Sequence, residues 1–230
     1  MTRVFHEGVT TTATQKSYVE NANSADNPSP LAAWGDVTII ETERLILRPW
    51  QPDDAEFVFD LYSRWEVQRF IGNNPRVMTS MAEARKLIIK WQTNDHPIHG
   101  IWAVQLKAQP EAARQEPTQQ GPAMPQLAGT LLLKSIPASG SELPLQPSGD
   151  TEIGWHFHPD HWGKGYATEA AQVVLDHAFA RGLPRVVAVT NPANAASQRV
   201  CTRIGLSHRG QTDKYYNAVC ELFEAINPNS

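Results

Sequence analysis

The stretch from 151 to 181 constrains the fold of this chain more than any other part of the sequence. Thr151 to His158 alternate apolar and polar side chains, as a strand with one buried face does. A short loop with two glycines follows, and Gly165 to Arg181 then carry an apolar stripe at helical spacing. A strand, a glycine loop and a long helix in this order predict a ligand site at the helix N-terminus.

The ligand expected at this junction is a phosphate or pyrophosphate. Gly163 and Gly165 allow positive φ angles and a close approach of the backbone to a ligand. The first N–H groups of the helix have no intrahelical partner and form an anion site, to which Lys164 adds a charge. The P-loop spacing is absent, and the dinucleotide fingerprint lacks its third glycine and the acid after the next strand. A CoA site and a loop that merely turns the chain remain as alternatives.

The chain from 37 to 227, which includes this stretch, is interpreted as one mixed α/β (α+β) domain, preceded by a flexible leader at 1–36. Helices are predicted after Pro52 and after Ser80, which forms a capping box with Glu83. Further predicted elements are antiparallel strands at 101–107 and 129–134, a strand at 185–190, a helix at 194–204 and strands at 206–213 and 215–226. Proline-rich exposed loops are predicted at 108–126 and 137–150.

Charge and composition exclude several classes of function. The net charge is -4 and the pI about 6.1, so a nucleic-acid partner is not expected. No apolar run approaches the ~20 residues of a membrane span, so no membrane partner is expected. Cys201 and Cys220 form no C-x-x-C pair and are interpreted as reduced thiols. Without a secretory signal pattern, the predicted location is cytoplasmic.

Four motifs in the right order resemble GNAT N-acetyltransferases of the RimJ/RimL-like branch. Trp162-Gly-Lys-Gly-Tyr-Ala-Thr-Glu-Ala170 resembles motif A, of general form Q/R-x-x-G-x-G/A, with Trp162 in place of Gln or Arg. The strand Thr151-Glu-Ile-Gly-Trp155 is similar to the E-I-G-Y strand of that branch. Asn194 to Leu206 resemble its second motif, and Thr42 to Pro49 resemble its first strand.

The resemblance implies a GNAT fold: a twisted, mostly antiparallel sheet with flanking helices and a splayed parallel strand pair that binds CoA. Acetyl-CoA is the implied co-substrate, with pantetheine on the backbone of 155–158, pyrophosphate on the amides of 163–167, and Asn194 and Ser197 at the thioester side. The implied cofactor-binding residues are Trp155, His156, Phe157, His158, Gly163, Lys164, Gly165, Tyr166, Ala167, Thr168, Asn194 and Ser197.

The candidate catalytic residues are Glu152 and Ser197. Glu152 is the candidate base, directly or through water, and shares a strand face with His156. Ser197 is the candidate proton donor to the thiolate, since Cys201 stands where some GNAT enzymes have a tyrosine. Each also has a plain structural interpretation, as a salt-bridged strand end and as a helix-terminal hydroxyl.

The functional prediction is transfer of an acetyl group to a primary amine, with a protein N-terminal α-amine as the leading candidate acceptor. A small-molecule amine acceptor and a non-catalytic CoA-binding module remain as alternatives. No metal is expected, because His156, His158 and His161 lack further ligands nearby in the sequence. Tyr215 and Tyr216 are candidates for the acceptor pocket, and Trp65, Phe70 and Trp91 are interpreted as core. A monomer or a homodimer is expected.

Overall fold

The computed structural model describes residues 38–93, 96–108 and 126–230. The predicted leader at 1–36 lies outside these residues, as does nearly all of the predicted loop at 108–126.

The first half of the described domain contributes four strands and three helices. The strands are β1 (Ile40–Glu41), β2 (Leu45–Pro49), β3 (Gly100–Leu106) and β4 (Leu127–Pro137). The helices are α1 (Ala55–Ser63), α2 (Trp65–Gln68) and α3 (Met81–Gln92).

The second half alternates strands and helices before it ends in a hairpin. Its elements are β5 (Pro147–Phe157), α4 (Tyr166–Ala180), β6 (Arg185–Thr190), α5 (Ala195–Arg203), β7 (Ser207–Thr212) and β8 (Cys220–Ile226).

The described strands form one sheet in the order β1-β2-β3-β4-β5-β6-β8-β7. Every neighbouring pair is antiparallel except β5 and β6, which run parallel. These two strands are paired at a single registered position, Glu152 opposite Val187, and separate beyond it toward their carboxyl ends. The predicted α+β fold with a splayed parallel pair is thereby confirmed, and the gap between the strands opens beside α4.

The predicted helix starts are also present. Ser80 caps α3, with its hydroxyl 3.4 Å from the amide of Glu83. The predicted capping box is incomplete, because the Glu83 carboxylate accepts from the Thr79 hydroxyl at 2.7 Å instead of from the Ser80 amide. Pro52 opens a short 3₁₀ helix that leads into α1.

The two faces of the sheet carry separate apolar clusters because strand side chains alternate. On β3, Trp102 and Val104 pack in the cluster beneath α4, whereas Ala103 packs in the cluster formed with α1 and α3. Trp155 also packs against the first cluster, on the β5 face opposite Glu152. The alternation leaves the polar face of β5 directed toward the α1 side.

The second proline-rich loop is shorter than the sequence predicts. β5 begins at Pro147 rather than Thr151, and Pro147 pairs with Pro137 of β4. The hydroxyl of Ser148 donates to the carbonyl of Ile136 at 2.7 Å, so polar turn-forming residues extend the strand pair. Only 138–146 connect β4 to β5.

The last strand, in contrast, begins later than predicted, at Cys220. Tyr216 and Asn217 have φ angles of 60° and 53°, which a strand cannot accommodate. The turn that they form carries Tyr216 back toward the middle of the sheet.

No helix in the described residues is long and apolar enough to cross a membrane.

Candidate active site

A cavity of about 710 Å³ occupies the gap between β5 and β6. It extends along the start of α4 and α5 on one side and reaches residues 66–72 and 216–220 on the other. Backbone and side chains of β5, from Glu152 to Phe157, line it between these two ends. A single continuous space therefore joins the predicted cofactor loop to a region that a second substrate can enter.

The cofactor end is built by the loop that the two glycines were expected to form. Gly163 and Gly165 have φ angles of 73° and 82°, and Gly165 is the N-cap of α4. The loop is held to the end of β5 by Trp162, whose indole N–H donates to the carbonyl of Phe157 at 2.7 Å. The N–H groups of Tyr166 to Thr168 begin the helix without intrahelical partners, and these three residues line the cavity.

Arg44 braces this loop from outside. Its Nη1 donates to the carbonyl of Lys164 at 3.0 Å, and its Nε donates to Glu169 in the first turn of α4 at 2.7 Å. The guanidinium also lies over the ring of Tyr166, 4.8 Å from its centroid. A basic group from the start of β2 therefore neutralises the acid nearest the helix N-terminus, where a negative ligand would otherwise be repelled.

Glu152 lies where the two strands part, and it is only 7 % exposed. Burial raises the pKa of its carboxyl, an effect that Lys134 and Tyr216 partly oppose. The hydroxyl of Tyr216 donates to Oε2 at 2.5 Å, and Nζ of Lys134 lies 3.5 Å from the same oxygen. Lys134 is the residue directly opposite Glu152 on β4. A buried carboxylate with a raised pKa is a group suited to accept a proton near neutral pH.

His156 faces the same cavity from the same side of β5. Its Nδ1 is 2.9 Å from the hydroxyl of Tyr62, which also contacts the hydroxyl of Thr130 at 3.0 Å. Burial, reinforced by the charge of Lys134, lowers the pKa of His156 to about 4. The imidazole is therefore neutral at pH 7.

Helix α5 supplies the remaining predicted residues. The side chain of Asn194 caps the helix and accepts from the amide of Ser197 at 3.2 Å, and both residues line the cavity. Thr190, at the end of β6, also lines it, and its hydroxyl is buried without a partner among the described residues. Cys201 is buried away from the cavity lining, and burial raises its thiol pKa to about 12.

Two of the predicted cofactor residues lie elsewhere. The N–H of His158 donates to the carbonyl of Ala128 at 2.9 Å, and its Nε2 lies 3.0 Å from Asp60, so β4 and α1 hold it outside the cavity. Lys164 is exposed and does not line the cavity. Glu152 and the other predicted residues do line it: Trp155, His156, Phe157, Gly163, Gly165, Tyr166, Ala167, Thr168, Asn194 and Ser197.

Sequence reasoning missed several residues of the site. Lys134 and Tyr62 carried no motif, because their relation to β5 depends on strand register and on where α1 packs. The core interpretation was wrong for Trp65, which is 54 % exposed, and Phe70 lines the cavity. Tyr216 lines the cavity as expected of an acceptor-pocket candidate, whereas Tyr215 is buried in a small apolar cluster.

Metal ligands do not gather at this site. Among the described residues there is no group of three His, Cys, Asp or Glu side chains placed to hold an ion.

Comparison with known proteins gives the class to which this fold and site belong. Residues 44–207 match the acetyltransferase (GNAT) domain family. The chain is 30 % identical over 179 residues to the uncharacterized N-acetyltransferase YoaA of Bacillus subtilis, covering 77 % of this chain and 87 % of YoaA.

Solved structures share the fold. A GNAT-family acetyltransferase from Bacillus anthracis matches with a TM-score of 0.60 and 22 % identity, over 83 % of this chain and 99 % of that one. RimL, described as a ribosomal L7/L12 alpha-N-protein acetyltransferase in complex with coenzyme A, matches with a TM-score of 0.60 and 18 % identity, over 84 % and 100 %. The chain therefore belongs to the GNAT family, and its activity is that of an acetyl-CoA-dependent N-acetyltransferase.

Proposed function

We propose that this N-acetyltransferase acetylates the α-amine at the N-terminus of a protein. The observation that carries the proposal is the balance of charge around the cavity. Among its described lining residues the carboxylates are Glu66 and Glu152, against the cations Arg69, Lys134, Arg199 and Arg203. A polyamine or an aminoglycoside, which carries several positive charges, would find no excess of carboxylates in this lining. A peptide N-terminus brings one amine, and one buried carboxylate suits it.

The cost of deprotonation favours the same acceptor. At pH 7 it is about 4–5 kcal/mol for a lysine-type amine but about 1.4 kcal/mol for an α-amino group. Lys134 and Tyr216 already engage the carboxylate of Glu152, so its strength as a base is moderated. A moderate base can deliver a neutral α-amine much more readily than a neutral lysine.

Acetyl-CoA fits the other end of the cavity. The free amides of Tyr166 to Thr168 and the positive φ of Gly165 suit a pyrophosphate. The hydroxyl of Thr190, which has no partner within the described part of the chain, suits an amide of the pantetheine arm, which would lie in the gap beside β5. When bound, acetyl-CoA supplies the activated thioester.

Residues of this chain carry out the proton transfers that the reaction also needs. Glu152 accepts the proton of the incoming ammonium, through water where the distance requires it. Ser197, at the start of α5, gives a proton to the departing thiolate. Asn194 holds the helix start that carries Ser197, through the hydrogen bond to its amide.

An acceptor panel tests the proposal. Each peptide is offered in two forms, one with a free α-amine and every lysine blocked, the other with an acetylated α-amine and one free lysine; spermidine and kanamycin are the small amines. We expect acetylation only of the free α-amine, located by mass spectrometry. Acetylation of the small amines with the peptides left untouched would instead assign the second acceptor class.

A thermal shift separates an enzyme from a binding module. Acetyl-CoA at 100-fold over its Kd should stabilise the fold by ~2.7 kcal/mol, or roughly 5–10 °C, whereas NAD should not. Stabilisation by acetyl-CoA without turnover of any amine would identify a protein that binds CoA and does not catalyse.

A further inference from the structure

The imidazole of His156 is held in one orientation by side chains around it. Its partner across the β4–β5 ladder is Thr130, a fully buried residue. The Tyr62 hydroxyl, from α1, lies within hydrogen-bond distance of both the Thr130 hydroxyl and Nδ1 of His156. The rings of Tyr62 and His156 meet edge to face, with centroids 5.6 Å apart and an interplanar angle of 84°. Three elements, β4, β5 and α1, thus fix the orientation of one imidazole.

This arrangement leaves Nε2 as the ring nitrogen that does not face Tyr62. The Tyr62 hydroxyl lies between Thr130 Oγ1 and Nδ1 of His156. When its single proton is donated to Thr130, its oxygen accepts from Nδ1–H of His156. The neutral imidazole then carries an unprotonated Nε2. Nε2 has no hydrogen-bond partner among the described residues and is not fully buried, and His156 lines the cavity. Its lone pair is therefore available to a molecule in the cavity.

The carboxylate of Glu152 lies too far along β5 to act at the same atom as Nε2 of His156. Glu152 lies four positions before His156 on β5, which corresponds to roughly 13 Å between their Cα atoms. One nitrogen cannot contact both side chains directly. Yet an ammonium group that becomes an amide loses two protons, one before attack and one as the C–N bond forms.

We propose that His156 Nε2 accepts the second of these protons and is a catalytic residue of the transfer, with Tyr62 as its positioning residue. The assignment rests on the acetyl transfer described above, whatever the amine. Glu152 removes the first proton from the ammonium through water, because the nitrogen that His156 contacts lies beyond its direct reach. The amine nitrogen attacks the thioester carbonyl, the carbonyl electron pair moves to oxygen, and His156 takes the proton released from the nitrogen. The C–S bond then breaks, the thiolate is protonated by way of Ser197, and one net proton reaches solvent.

The groups around His156 favour its neutral form, as a transient proton acceptor requires. Lys134 lies on its side of the sheet and disfavours the imidazolium, while Tyr62 and Thr130 are uncharged. A proton taken by Nε2 is therefore released at once, and the ring returns to its neutral form before the next turnover.

The test compares His156→Gln and Tyr62→Phe with the full-length wild type, using both a free-α-amine peptide and spermidine as acceptors. We expect H156Q to lower kcat by about 100-fold across the pH range, the size of a general-base contribution, with the Kd for acetyl-CoA unchanged. For Y62F we expect a smaller loss of kcat. In ¹⁵N NMR of the histidine rings, Y62F should reduce the Nδ1–H form of His156.

His99→Gln is the matched control. His99 is also bonded to a threonine hydroxyl, Thr151 at 3.0 Å, and burial likewise lowers its pKa to about 4. It does not line the cavity. We expect H99Q to retain the wild-type kcat, so that a loss in H156Q alone reports the position in the cavity and not the loss of a buried histidine.

The outcomes separate the two proposals. Loss of spermidine turnover in H156Q, with no peptide acetylated by the wild type, would support His156 and overturn the N-terminal acceptor. Full activity of a folded H156Q would overturn His156 alone, as would an NMR spectrum with Nδ1 of His156 unprotonated. A wild type that acetylates no amine would overturn both.

Discussion

The guanidinium of Arg44 lies 2.6 Å from Oε2 of Glu169 and joins the start of β2 to the first turn of α4 across 125 residues of sequence. Thr42 donates to the same carboxylate at 2.5 Å. Burial alone would raise the pKa of Glu169, but these bonds lower it, so the group is ionised at neutral pH. The pair holds the glycine loop in place without leaving an uncompensated negative charge beside a phosphate site.

Arg44→Gln should weaken acetyl-CoA binding. The pair is partly exposed, so about 1 kcal/mol is the appropriate scale, which corresponds to about a fivefold rise in Kd by calorimetry. Arg209→Gln is the control, because Arg209 makes a similarly exposed pair with Glu224, far from the loop in sequence, and neither residue lines the cavity. An unchanged Kd in R44Q would show that the loop keeps its shape without the brace.

Gly165→Ala should reduce both stability and cofactor affinity. A side chain at φ 82° costs roughly 1–2 kcal/mol, and its Cβ would lie 3.4 Å from Nη2 of Arg44. Gly182→Ala, at φ 88° just after α4 and with open space around it, should cost similar stability. Only G165A should lose the thermal shift with acetyl-CoA; equal shifts in the two variants would contradict the placement of the cofactor at the start of α4.

Glu152→Gln should remove activity at neutral pH while leaving the fold as stable or more so. The folded-state pKa of Glu152 is raised, so its contribution to stability is present at low pH and is lost as the pH rises through that pKa. The wild type should therefore gain in unfolding free energy relative to E152Q as the pH is lowered from neutral toward 5. Urea unfolding at several pH values measures this difference, and a gain in the opposite direction would show that Lys134 and Tyr216 outweigh burial.

The wild-type rate should in turn fall on acidification through the same pKa, because the base must be ionised to accept a proton. E152Q should lose this acidic limb and recover activity at high pH, where the amine is already neutral. A retained acidic limb in E152Q would assign the titrating base to another group.

Asp54→Asn should be the most destabilising of these changes. Arg48 and Asp54 form a two-point ion pair, with both N–O distances 2.8 Å and side chains only 10 % and 6 % exposed. Removing one partner leaves a buried charge, at a cost of about 3–5 kcal/mol. Arg76→Gln breaks an exposed pair with Glu83 and should cost less than about 1 kcal/mol by denaturant titration. Comparable losses in the two variants would mean that Arg48 reaches solvent when Asp54 is neutral.

Local sequence determined the helix caps, the glycine loop and the facing of the strand side chains. The cap at Ser80, the glycines at 163 and 165 and the N-cap at Asn194 act on residues within one helical turn. Alternation along β5 likewise decides which side chains share a face. These short-range rules, together with the order of the motifs, were enough to predict the fold, the family and the loop at the start of α4.

Tertiary structure decided the relations between residues far apart in the chain. Lys134 meets Glu152, and Thr130 meets His156, because β4 and β5 pair in one particular register. That register depends on how both faces of the sheet are buried, and a shift of one residue would invert every side chain. Tyr62 reaches His156 only because α1 packs over that face, and Tyr216 reaches Glu152 only through the turn before β8. The sequence alone thus placed a carboxylate and a histidine on a strand, and packing supplied the partners that set their protonation.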